Sequence, residues 1–407
     1  LSKFDRKNYP YPDLPKGYQI SQYDLPLCIR GWLEIETDEG TKRIGIRRVH
    51  LEEDTGKLIH QNGSSLIDFN RAGVPLMEIV TEADMRSAEE AWRYLVKLRT
   101  ILRYLGVNSG NMEEGALRCE ANVSIRPVGS PELGTKVEIK NLNSFRAVRQ
   151  SIAYEIERQA GLLSEGQRVQ QVTMGWDEER GRTVFQRSKE EAQDYRYFPE
   201  PDLPPLQPTR EWVQSLREQL PELPDAKRER FLQVYGLRPE DASLLVEDRA
   251  IADYLEQAVS AADDTVSPRT LANWITGEVF RLLRDHGVQI EQIKVQPSQL
   301  AELLSMVARN TINATVAKDV LVEMFTTGES APAIVQRKGL TQISDEEQLL
   351  QIVRDVLAAN PKAVQDFASG KEAALRFLIG QVMRATRGKA NVTIVERLLK
   401  QATGQAS

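Results

Sequence analysis

The sequence predicts an α+β domain with a mixed or antiparallel sheet, followed by two all-α domains. Three observations carry this prediction. Residues 117–126, LRCEANVSIR, alternate apolar and polar side chains without a break, as a strand with one buried face does. Residues 199–208, PEPDLPPLQP, hold five prolines and read as a stiff extended boundary. Beyond that boundary the apolar spacing is helical throughout. A chain of 407 residues is too long for one core and suits two or three domains. The expected divisions are 1–205, 206–290 and 291–407.

The elements follow in chain order. Pro10, Pro12, Pro15 and Pro26 exclude helix from residues 1–26, so an extended, irregular segment rich in tyrosine and lysine is expected. A hairpin follows, LCIRGWLEIE and KRIGIRRVHLEE, turning at Asp38, Glu39 and Gly40. Ser87 with Glu90 forms a capping-box signature. The helix after it carries Ala91, Leu95, Leu98, Leu102 and Leu105 on one stripe and stops at Gly106. In the strand at 117–126, Leu117, Cys119, Ala121, Val123 and Ile125 face inward. Arg118, Glu120, Asn122, Ser124 and Arg126 face outward. TKVEIKN at 135–141 repeats the alternation. Ser144 caps a second helix, with Phe145, Val148, Ile152 and Ile156 on its stripe and Gly161 at its end. SPRT at 267–270 is an internal start signal, and from QPSQL at 296–300 to the end a second all-helical unit of short helices is expected.

Composition narrows the function classes. No run reaches the roughly 18 apolar residues of a membrane span. Two cysteines, Cys28 and Cys119, make neither a disulfide framework nor a zinc quartet, which fits a reducing, cytoplasmic setting. A net charge of −6 argues against wholesale coating of nucleic acid while permitting a local basic patch. Neither a Walker A motif nor G-x-G-x-x-G is present.

Three constellations carry chemistry. The first is RRVHLEED at 47–54, where three carboxylates follow His50 and Leu51. Two carboxylates about 4 Å apart repel by roughly 1 kcal/mol in water and by more in a drier site. On a strand, His50 and Glu52 share a face. Glu78 lies inside the apolar run VPLMEIV, and Glu120 lies on the polar face of the clean strand. Three carboxylates from three segments suit Mg²⁺, which prefers hard oxygens. A solvated turn at 52–54 with Glu78 paired to an arginine fits the same pattern, and spacing leaves both readings open. The second constellation is basic and polar, spread over FDRKNYPYP, DFNR, LRCEANVSIR and IKNLNSF, and suits phosphate contacts or plain surface charge alike. The third is GQVMRATRGKAN at 380–391, whose Arg384, Arg387 and Lys389 suit an RNA backbone or the end of a helix.

The longest stretches point to a family. KFDRKNYPYPDLPKGYQISQ, HLEEDTGK, DFNRAGVPLMEIV, MEEGALRCEANVSIRP, EIKNLNSF and RSKEEAQDYRYFPEPDLPP resemble the B subunits of tRNA-dependent amidotransferases, GatB of the GatCAB complexes. ANWITGEVFRLL and GQVMRATRGKAN extend the resemblance through the helical half. It implies a cradle-shaped catalytic domain, a helical domain and a YqeY-like tail. It implies phosphorylation, by ATP with Mg²⁺, of the side-chain carboxylate of Glu-tRNA(Gln) or Asp-tRNA(Asn). Ammonia from glutamine then displaces the phosphate. The A subunit (GatA) supplies that ammonia and GatC completes the assembly, in the cytoplasm or in an organelle.

The resemblance also implies residue roles. Glu52 and Glu78 match carboxylates that hold Mg²⁺, and Glu120 stands where aspartate is the commoner residue. Arg118, Asn122 and Ser124 would steady the nucleotide. Lys7, Tyr9 and Lys16 would line the ammonia inlet, and Arg384, Arg387 and Lys389 would touch tRNA. The family's N-terminal Glu-Val-His strand, which supplies further metal ligands, has no counterpart here, nor has its cysteine cluster for zinc. The chain opens Leu-Ser-Lys, so an upstream segment is expected to complete the metal shell. Two rival readings remain: a non-catalytic tRNA-binding module of the same complex, and a metal-dependent hydrolase built on Glu52, Glu78 and Glu120.

Overall fold

A computed structural model describes residues 1–61, 63–188, 194–342, 346–369, 371–386 and 388–403. They form two compact units, residues 1–221 and 222–407. The first is mixed α and β, and the second is helical.

The prolines of the opening segment exclude helix but not pairing. Strands β1 (Asp5–Asn8) and β2 (Tyr18–Ser21) run antiparallel, with Pro10, Pro12 and Pro15 in the connection, where no ladder donor is lost. The expected irregular segment is thus partly a sheet. The hairpin forms as expected, from β3 (Cys28–Thr37) and β4 (Gly40–Glu53), with Gly40 at positive φ. A second hairpin, β5 (Lys57–Gln61) and β6 (Ser64–Asp68), leads to β7 (Pro75–Thr81), which returns beside β4. Helix α1 (Ala88–Tyr104) starts where Ser87 accepts from the Glu90 N–H at 3.1 Å.

Strand β8 (Cys119–Val123) keeps the predicted alternation, with Ala121 and Val123 buried and Glu120 and Asn122 exposed. It pairs with β9 (Val137–Leu142). Helix α2 (Phe145–Ser164) does not stop at Gly161. A helix tolerates one glycine at about 1 kcal/mol, and the left-handed closing position falls instead on Gly166. Strands β10 (Val172–Asp177) and β11 (Arg182–Ser188) complete a sheet in the order β11-β10-β9-β8. The main core joins hairpin, sheet and helices, while Val137, Val172 and Met174 form a small separate cluster on β9 and β10. Leu33, Ile35 and Ile44 of the hairpin meet Tyr94 and Leu95 of α1, Ile139 of β9 and Val148 of α2.

The proline-rich boundary is tied down rather than free. β12 (Phe198–Pro199) adds to β1 as an edge strand, where proline is tolerated. Ser2 and Leu206 exchange backbone hydrogen bonds of 2.9 and 2.7 Å. Buried Glu200 takes Arg6 bidentately at 2.7 and 2.8 Å. The first unit therefore runs past residue 205 and includes α3 (Arg210–Gln219). The Arg6 guanidinium holds the Glu200 carboxyl below the usual carboxylate range. Its contribution is complete above the unfolded-state pKa and fades as pH falls through the lowered folded value. Glu200→Gln is expected to destabilise this unit by about 2 kcal/mol at pH 7. The difference in urea midpoint from wild type should shrink as pH drops from about 5 toward 2. A gap that stays constant over that range would contradict the pairing.

The second unit has two apolar cores. The first gathers α4 (Pro224–Gln233), α5 (Pro239–Leu245), α6 (Arg249–Ala261) and α7 (Pro268–Trp274). A π-helical turn, Ile275–Val279, joins α7 to α8 (Phe280–His286). The same core continues into α9 (Pro297–Ala308), α10 (Ala314–Thr327) and α11 (Ala331–Lys338). Ile290, Ile293, Val295 and Leu300 all belong to it, so the core runs straight across the division expected at 290. The start signal at SPRT holds, with Ser267 capping α7, and α9 opens at Pro297. The second core is built by α12 (Glu346–Ala359), α13 (Pro361–Ala368), α14 (Glu372–Ala385) and α15 (Val392–Ala402). Among the described residues no helix is long and apolar enough to cross a membrane.

Candidate active site

The acidic cluster is made by the pairing of β4 with β7. His50 and Glu52 stand two residues apart on β4 and so share a face. The register sets Glu78 of β7 directly opposite His50. Three potential ligand atoms, one each from His50, Glu52 and Glu78, therefore lie within 4.8 Å of one another. His50 is 4% exposed. The Glu52 side chain is 11% exposed and that of Glu78 48%, so Glu78 is not the buried carboxylate its apolar neighbours suggest.

The hydrogen bonds around the cluster assign its parts. Arg48 donates from Nε to His50 Nδ1 at 3.3 Å. A neutral imidazole that accepts at Nδ1 carries its proton on Nε2. That Nε2 faces Glu52 at 3.5 Å and Glu78 at 3.8 Å. In that tautomer His50 turns its N–H toward the two carboxylates at contact distance. Ser21 of β2 donates to Glu52 at 3.3 Å. This donor set fits a divalent ion held by hard oxygens, with the imidazole orienting them.

Glu120 does not join the group. It is paired with Lys140 at 2.7 Å on the β8–β9 sheet, the opposite of the expected three-carboxylate shell. The reason is topological: β8 belongs to the β11-β10-β9-β8 sheet, whereas β4 and β7 lie together in another. No hydrogen bond or ion pair among the described residues brings Asn122 or Ser124 to the cluster either. Arg118 is brought close by a different route. It donates to Asp54 at 2.7 Å, and Arg71 reaches the same carboxylate at 3.2 Å. Asp54 is buried, so two half-exposed guanidiniums are anchored two residues beyond Glu52. Arg71 ends the DFNR motif and Asp54 ends HLEED; spacing does not reveal their partnership, because it joins two loops.

Glu53 faces the other way along β4, into the opening segment. It takes the Ile20 N–H at 2.9 Å and pairs with Lys16. Lys7 places its ammonium over Tyr9 at 5.4 Å and over Tyr195 at 4.7 Å. Tyr9 donates to Gln19 at 3.4 Å, and burial pushes its hydroxyl pKa well above the ordinary tyrosine value. Lys7 and Tyr9 thus pack against Tyr195, whereas Lys16 lies over the Tyr18 ring at 5.0 Å and against Glu53, so the structure groups Lys7 with Tyr9 but not with Lys16. In the helical unit Arg384 is exposed on the last turn of α14. Lys389 donates to the Gly339 carbonyl at 2.5 Å, where α11 ends. Arg387 lies outside the described residues.

The sequence profile of the GatB/GatE catalytic domain matches residues 1–214, and that of the GatB domain matches residues 253–402. The chain is 54% identical over 402 residues to the B subunit of the aspartyl/glutamyl-tRNA(Asn/Gln) amidotransferase of Caldanaerobacter subterraneus, covering 98% of this chain and 84% of the relative. It is 56% identical over 402 residues to the corresponding B subunit of Herpetosiphon aurantiacus, covering 98% and 83%. The Carboxydothermus hydrogenoformans B subunit is 53% identical over 403 residues, covering 98% and 83%. A catalytic-domain match across the unit that holds the acidic cluster, together with identity above one half along nearly the whole chain, places this chain in the GatB family of tRNA-dependent amidotransferase B subunits.

Proposed function

We propose that the β4–β7 cluster activates the side-chain carboxylate of Glu-tRNA(Gln) or Asp-tRNA(Asn) by phosphoryl transfer from ATP. The observation that carries this is the convergence of Glu52 and Glu78 on one sheet face, with His50 between them. Glu52 and Glu78 would hold Mg²⁺, which when bound neutralises charge on the transferring phosphoryl group. The chain's own residues supply the rest. Arg118 and Arg71, fixed by Asp54, offer planar donors that suit nucleotide phosphates. Asn122 of β8 and Ser124 just beyond it are the further residues proposed to steady the nucleotide. The carboxylate oxygen of the aminoacyl group takes the phosphoryl group, and ADP leaves. Ammonia then attacks the acyl phosphate, forming the amide and expelling phosphate.

Such chemistry needs positioning more than a covalent protein intermediate. A partner glutaminase, GatA, with GatC, would supply the ammonia. Lys7, Tyr9 and Lys16 are the proposed wall of its inlet; Lys16 against Glu53 offers a polar step that ammonia can follow. Residues 291–407 are the proposed YqeY-like tail that grips tRNA, with Arg384, Arg387 and Lys389 as its proposed contacts. Arg384→Glu should then weaken tRNA binding and lower its salt slope by about 1. An unchanged slope in filter binding would remove Arg384 from the interface.

ADP release by the assembled complex tests the central reading. Release that requires misacylated tRNA supports carboxylate activation. Amidation without ADP release from this chain would favour a pure tRNA-binding role, and metal-dependent hydrolysis without tRNA or partners would favour a hydrolase.

A further inference from the structure

Tyr23 is the most conspicuous aromatic side chain near the acidic cluster. It is 61% exposed, yet it is not loose. Its ring stacks on Tyr197 with centroids 4.2 Å apart and planes within 9°. Its backbone N–H donates at 3.3 Å to Asp5, a buried carboxylate that Lys3 holds at 3.0 Å. Behind this pair the aromatic contacts continue. Tyr195 meets Tyr197 edge-on at 6.0 Å, and Tyr9 meets Tyr195 edge-on at 5.7 Å. One ring face at the end of this ladder is left open.

The ladder ends beside the cluster. Ser21, two residues before Tyr23, hydrogen-bonds Glu52. Burial pushes the Tyr197 hydroxyl up to about 12, and the charges of Glu52 and Arg48 also act on it. An aromatic ring serving only the core would bury both faces. This one is held rigid with one face open, so a planar ligand stacks on it with little ordering cost.

We propose that the Tyr23–Tyr197 pair is a stacking platform for an adenine base whose reacting end, a triphosphate or an aminoacyl ester, runs toward the acidic cluster. The inference rests on the phosphoryl-transfer reading of that cluster. Adenine has two sources in this reaction, ATP and the 3′-terminal adenosine of the aminoacyl-tRNA. Both present the same π-face, and stacking is tolerant of what the base is attached to.

The test uses the assembled complex and three proteins: wild type, Tyr23→Ala and Tyr23→Phe. ADP binding is measured by calorimetry, and KM is measured separately for ATP and for Glu-tRNA(Gln). Loss of base stacking should weaken the adenine-bearing ligand by about 5- to 100-fold in Tyr23→Ala. Tyr23→Phe keeps the ring and should stay within about 2-fold of wild type, as should kcat of both variants. Weaker ADP binding with a raised KM for ATP assigns the platform to the nucleotide. A raised KM for tRNA with ADP binding intact assigns it to the terminal adenosine. Tyr23→Ala indistinguishable from wild type in both arms would overturn the platform while leaving the acidic cluster untouched. Wild type that binds no ADP would instead sink the phosphoryl-transfer reading, and the tRNA arm would then decide the role of Tyr23 by itself.

Discussion

Glutamine in place of Glu52 is expected to lower tRNA-dependent ADP release at least about 1,000-fold, equivalent to about 4 kcal/mol of barrier. The substitution keeps the side chain's volume and its ability to accept from Ser21. It removes the negative charge next to His50 Nε2, and with it one of two carboxylates able to hold a cation. Losing a single fixed charge-stabilising group in an active site typically lowers the rate by about 100- to 1,000-fold, and a metal ligand acts on both the metal and the phosphates it holds. Glu78→Gln should fall in the same direction. Glu120→Gln should change the rate little, because Glu120 spends its charge on Lys140 outside the cluster. Mn²⁺ affinity, measured by spin-resonance titration, gives a readout apart from turnover and should drop in the first two variants only. Affinity for tRNA should be unchanged in all three. Wild-type ADP release by Glu52→Gln would return residues 52–54 to a solvated turn. Equal damage from Glu120→Gln would mean that the ligand set read from β4 and β7 is wrong.

The largest structural effect is expected at Glu155, a carboxylate with no exposed surface on α2. It accepts from Arg158 at 2.6 and 2.9 Å, from Gln159 at 2.9 Å and from Thr183 of β11 at 3.3 Å. Gln159 in turn donates to the Val123 carbonyl at 3.0 Å and accepts from the Ile125 N–H at 3.2 Å. A side-chain amide thus continues the pairing of β8 where its strand partner stops. Glu155→Ala removes the common acceptor and leaves a buried hydroxyl and a buried amide short of a partner. The expected loss is about 3 kcal/mol, or about 6–12 °C in Tm for a unit of this size. Glu155→Gln retains part of the network and should lose less. A shift under about 2 °C in Glu155→Ala would show that water replaces the network.

The candidate site is legible in the sequence only in pieces. Alternation along a strand is enough to put His50 and Glu52 on one face, and the odd carboxylate at Glu78 marks a second contributor. Glu120 looks equivalent because its local pattern is just as clean. What separates them is strand pairing: β7 lies beside β4, and β8 does not. The same holds for Asp54, whose two arginines come from positions 71 and 118. The tyrosine ladder joins residues 9 and 23 to residues 195 and 197, across nearly the full length of the first unit. No periodicity can announce contacts at such separations.

Local chemistry by itself determined the hairpin at Gly40, the caps at Ser87, Ser144 and Ser267, the strand face of β8 and the helical character of the second half. These depend on neighbours within a few residues, which is the range over which hydrogen bonding and side-chain alternation act. Long ordered motifs also determined the family. Tertiary structure alone decided that the opening segment pairs with Phe198 and Pro199, that one core spans residues 231–335, and that the acidic site is built from two strands rather than three. The physical reason is common to all three. Each depends on which distant surfaces bury one another and which backbone groups find partners, and those choices are settled by the whole chain's packing rather than by any segment of it.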